Sequence, residues 1–148
     1  MEQLRWVQDS GFATWMRESS WAIFATLILH TLSMGFVVGA GLAVDGRVLG
    51  LARSIPLDAL RRLWPIMAWA LALIVFSGVL LVIAYPAKAL TNPLFYVKLA
   101  ILAAAVLFTR RLMRAPAAWL AAITVPLWLA GLTLGKFLAY THKILLVY

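Results

Sequence analysis

The chain of 148 residues contains no cysteine. That excludes disulfide staples, thiolate nucleophiles, zinc sites of the cysteine type and iron–sulfur clusters. Charge is almost as scarce, at 12% of residues against about 25% in a typical soluble domain. Only 5 residues are acidic. No G-x-S-x-G, no H-E-x-x-H and no phosphate-binding glycine loop occurs, and no apolar stretch carries paired carboxylates. The residues needed for acyl transfer, metal-assisted proteolysis or nucleotide chemistry are therefore missing. The expectation is a protein without catalytic activity of its own.

What the chain has in abundance is apolar surface: 65% of residues are hydrophobic and the mean hydropathy is +0.97. A soluble domain is about 45–50% apolar, and a chain this short has too little interior to hide the excess. The lipid bilayer must supply it. Four apolar runs, bounded by charges and prolines, are each read as a transmembrane helix: 21–44, 66–85, 94–109 and 116–136. The third includes Lys98, whose stem can snorkel to the interface. Pro93 and Pro116 lie near helix starts, where a missing N–H costs nothing, whereas Pro126 falls inside the last helix. The fold class expected is all-α, a single integral membrane domain over 1–148 built as a four-helix transmembrane bundle with up-down topology.

Two short interfacial helices complete that picture. The first 20 residues carry Glu2, Asp9 and Glu18 and lack the pattern of a signal peptide. Leu4, Trp6, Val7, Phe12, Trp15 and Met16 suit an amphipathic segment in the headgroup layer, ahead of a cap at Ser19 or Ser20. A second segment starts at Ser54-Ile55-Pro56-Leu57-Asp58 and ends near Trp64-Pro65, between the first two spans. Asp45 and Arg47, which could pair across a turn at Gly46, read as a structural turn with a cytoplasmic anchor.

The net charge is +8, but the cations sit at the ends of apolar runs, where they meet lipid phosphates and set topology. No basic patch with interleaved aromatics points to nucleic acid. Arg47, Arg53, Arg61, Arg62, Arg110, Arg111 and Arg114 fall on one side of the membrane, Arg5, Arg17, Lys88, Lys98, Lys136 and Lys143 on the other. The arginine-rich loops are expected in the cytoplasm, with both termini periplasmic, in a bacterial inner membrane.

Small residues mark packing surfaces. Gly35 and Gly39 form one G-x-x-x-G, Gly131 and Gly135 a second. Close helix approach at such ridges serves either the bundle itself or a second membrane protein or copy. His30 is the one ionisable group deep in an apolar run, about 13 Å past Trp21 by helical rise. Thr26, Ser33, Met34, Val37 and Gly41 share its side of the helix. Either it hydrogen-bonds a neighbouring helix, or it ligates a b-type haem, or it binds copper together with Met34. His142 is the second histidine, but the helical rise separates it from His30 by some 20 Å, too far for two axial ligands of one iron. Transport is disfavoured, because no Asp, Glu or Lys is expected in mid-membrane.

The stretches R-E-S-S-W (17–21), L-H-T-L (29–32), V-D-G-R-V-L-G (44–50), N-P-L-F-Y-V-K (92–98) and G-K-F-L-A-Y (135–140) carry a resemblance that spans most of the chain, about residues 15 to 141. They resemble a family of small bacterial four-helix integral membrane proteins catalogued as a domain of unknown function. The resemblance implies that His30, Asp45, Arg47, Asn92 and Lys98 belong to a recurrent framework. Lys136 stands where that family usually has arginine, which removes a bidentate anion contact there. The function expected on these grounds is an accessory or anchor subunit of a larger membrane complex, respiratory or otherwise redox-active. The alternatives are an electron carrier with haem or copper on His30, or a small permease.

Overall fold

A computed structural model describes residues 6–51 and 53–144, with side chains described as far as residue 138. Among the described residues there is no strand. The helices run in the order α1 (Gly11–Glu18), α2 (Ser20–Leu49), α3 (Leu57–Arg61), α4 (Trp64–Ala84), α5 (Pro86–Leu90), α6 (Pro93–Arg114) and α7 (Ala118–Ile144). Four stretches are long and apolar enough to cross a membrane: Ser20–Leu49, Leu57–Ala84, Pro93–Arg114 and Ala118–Leu138. These are the four expected spans, with shifted ends. The protein is a multi-pass, all-helical membrane protein.

The shifts have local causes. Ser19 Oγ accepts from the Ala22 amide at 3.3 Å, which starts α2 at Ser20. At its other end α2 runs through Asp45, Gly46 and Arg47 without a turn. It stops at Gly50, whose φ of 93° is the left-handed conformation a helix C-terminus favours. Leu51 N donates to Gly46 O at 2.9 Å and Gly50 N to Arg47 O at 3.2 Å, the paired bonds of a Schellman cap. The expected turn at Gly46 is thus corrected: nothing in the sequence before Gly50 forces the chain out of the helix. Arg47 donates instead to the carbonyl of Ile55 in the following loop. The segment after Pro56 is helical only to Arg61. The connection at Pro86–Leu90 contains a helix that the sequence reading leaves as a short loop.

The chain divides into two compact units. In the unit of Met1–Val37 and Met67–Asn92, Met16 of α1, Ala22 of α2 and Ala84 of α4 form a buried cluster flanked by Ile23 and Leu80. Arg17 donates to Ala84 O at 3.1 Å, placing a cation on the last carbonyl of α4. The same guanidinium reaches Gln8 O at 2.7 Å and Thr14 Oγ1 at 3.2 Å, so it also fixes α1.

In the unit of Val38–Ile66 and Pro93–Tyr148, the core is built on Trp128. This indole is fully buried, and its Nε1 donates to the buried Thr109 hydroxyl at 3.2 Å. It fits because Gly41 has no side chain: a Cβ there would lie 2.5 Å from Trp128 Cε2. Gly131 is similarly filled by Leu102, whose Cδ2 would be 2.5 Å from an added Cβ, while the Lys98 stem lies over Gly135 at 3.6 Å. The second G-x-x-x-G therefore serves packing of α6 on α7. Arg61 repeats the device of Arg17 by donating to the carbonyls of Met113 and Arg114 at the end of α6.

The two halves of this glycine pattern predict opposite signs. Gly41→Ala overpacks a rigid buried ring and costs about 1–3 kcal/mol. Gly35→Ala and Gly39→Ala meet nothing within 4 Å, so each gains up to about 1 kcal/mol of helix propensity in the isolated chain. Thermal unfolding of the three variants in detergent micelles checks this.

Candidate functional site

His30 lies half-buried on the inner side of α2, where Thr26, Ser33, Met34 and Val37 are buried, as the helical spacing anticipates. Its Nδ1 is 2.9 Å from Ser77 Oγ on α4. The Ser77 hydroxyl also lies 2.6 Å from Leu73 O. A hydroxyl has one proton, so with that proton on the carbonyl the serine oxygen accepts from Nδ1–H. The ring edge rests on Gly78, where an added Cβ would stand 3.4 Å from Cε1. His30 is thereby a link between α2 and α4. Met34 is buried one turn further along. His142 lies in the last turns of α7, but its side chain is outside the described residues. Among the described residues no group of three or more His, Asp or Glu side chains is gathered to hold a metal ion.

The most unusual polar group is one the sequence reading assigns to a loop. Asp45 has 0% of its surface exposed, and among the described residues neither carboxylate oxygen has a hydrogen-bond partner. The expected ion pair with Arg47 is not formed, because both residues sit in the helix two positions apart and point to different sides. The other buried polar side chains of this unit are satisfied: Thr124 Oγ1 donates to Leu120 O at 2.8 Å, and Thr109 accepts from Trp128. A carboxylate removed from water without a donor is costly, and within a membrane span it marks function by default. The signal available in the sequence was its position four residues after Gly41, which continues the Thr26, Ser33, Val37 and Gly41 side of the helix.

Comparison of the chain with protein-family models, with curated proteins and with solved structures finds no match. Function must be read from the residues.

The first G-x-x-x-G behaves unlike the second. Gly35 and Gly39 are exposed, with open space where each Cβ would be. They lie on the stripe of α2 that also presents Phe24, Ile28 and Leu32, all exposed. One turn before Gly35, a groove of about 230 Å³ is lined by Leu27, Ile28, Thr31 and Leu32. The arrangement is a flat, notched apolar surface that a second transmembrane helix can approach closely.

Two substitutions separate structural from functional roles. Asp45→Asn surrenders no hydrogen bond and leaves the unfolding midpoint in detergent unchanged or higher. His30→Ala loses the bond to Ser77 and lowers stability by about 1 kcal/mol. A fall on Asp45→Asn as large as that on His30→Ala would show that Asp45 has a structural partner.

Proposed function

We propose that this protein is a non-catalytic accessory subunit, anchored in the membrane by its four apolar helices and docked to a larger membrane assembly through the outer face of α2. The observation that carries the reading is the open ridge at Gly35 and Gly39. In lipid, helix association depends on close contact rather than on water exclusion, and a glycine costs helix stability unless that contact is made. Trp128 and Leu102 fill the notches at Gly41 and Gly131, whereas no described residue fills this pair.

Native mass spectrometry of gently extracted membranes tests the proposal. The expected result is a discrete assembly containing this chain, lost in the Gly35→Ile/Gly39→Ile variant while the isolated subunit remains folded. An isolated monomer, or an assembly indifferent to the double variant, contradicts it. A Soret band in the purified protein that disappears with His30→Ala would replace the reading with that of a haem-bearing electron carrier.

A second reading rests on Asp45. A buried carboxylate without a partner is the type of group that small permeases use to take up a proton or cation. Proteoliposomes should then show cation or proton flux that Asp45→Asn abolishes without loss of folded protein. Equal leakage from both preparations removes this reading.

A further inference from the structure

At the C-terminal end of α6, a cavity of about 490 Å³ is lined by Arg61, Trp64, Arg110, Met113 and Arg114. We propose that it binds the phosphodiester headgroup of an anionic phospholipid. The inference is independent of the docking face on α2.

The charge in this cavity is divided between structural and available groups. Arg61 is committed: it donates to the carbonyls of Met113 and Arg114 and pairs with Asp58 at 2.7 Å. Those contacts satisfy the carbonyls at the negative end of the α6 dipole, which would otherwise repel an anion. Asp58 neutralises Arg61, so two positive charges remain, on Arg110 and Arg114. The Arg110 guanidinium lies 5.2 Å from the centre of the Trp64 ring. The attraction between cation and ring uses none of the guanidinium's N–H donors, which are the groups that make a bidentate contact with phosphate.

Position and size fit a lipid. Arg110 and Arg114 occupy the last two turns of a membrane-spanning helix, at the depth of the headgroups. Leu107, one turn nearer the apolar segment, is 62% exposed, and Ile66 of α4 is also exposed. Buried Met113 gives the cavity an apolar wall. A phosphodiester with its glycerol fits within a space of this volume, and acyl chains can continue over apolar surface. Free inorganic phosphate would meet the same arginines but gain nothing from that surface.

The test uses the full chain in detergent, with cardiolipin, phosphatidylglycerol or phosphatidylcholine added and retained lipid counted by native mass spectrometry. The anionic lipids should be retained at least about tenfold better than phosphatidylcholine, and Arg110→Gln/Arg114→Gln should remove that preference. Arg62→Gln/Arg111→Gln, which removes equal charge from residues outside the cavity, should keep it. Inorganic phosphate at millimolar concentration should not displace the lipid. Equal retention of phosphatidylcholine, equal loss in both double variants, or displacement by phosphate would each overturn the assignment.

Discussion

Lipid offers no hydrogen bonds, and that constraint shapes several of the helix ends in this protein. Within an apolar span the backbone groups pair inside the helix, save where Pro126 lacks an N–H, so the unpaired groups collect chiefly at the termini. Several of the polar residues act there. Ser10 and Ser19 accept from the amides of Ala13 and Ala22. Arg17 and Arg61 reach across to the terminal carbonyls of α4 and α6. Gly50 closes α2 with backbone bonds alone. The excess of arginine over acid in the composition follows in part from this use, since a guanidinium can satisfy several carbonyls at once.

Glycine distribution follows the same economy of contact. With no hydrophobic drive between helices in lipid, a bundle gains from notches that receive large side chains. Trp128 at Gly41 and Leu102 at Gly131 are such fits. Against them, the ridge at Gly35 and Gly39 is a surface made for close approach with none of the described residues upon it. The cationic cavity at the end of α6 is a second surface of that kind, addressed to a headgroup rather than a helix.

Much of the architecture was legible in the sequence, because apolar run length and terminal charge decide spans almost unaided. The inward seam at Thr26, Ser33 and Val37 followed from helical periodicity. Helix ends were less legible. Gly46 and Gly50 look alike as letters, and only the backbone shows which adopts the left-handed conformation. That ambiguity moved Asp45 from a buried helical position into an imagined turn. Nor could spacing tell which G-x-x-x-G was filled, since that depends on Leu102 and Lys98 from another helix. The roles of Arg17 and Arg61 as caps were hidden for the same reason: their partners lie 67 and 52 residues away.

The central claim, that four apolar helices cross the bilayer, is tested most directly by single-cysteine labelling, for which a chain without cysteine is suited. Ser54→Cys, Thr91→Cys and Ala115→Cys each place one thiol in an exposed connection. The account predicts that, in sealed membrane vesicles, a membrane-impermeant maleimide reaches Thr91→Cys from one side only, and Ser54→Cys and Ala115→Cys from the opposite side only. Labelling that puts position 91 on the same side as position 54 or 115 would mean that α4 or α6 does not cross, and would contradict it.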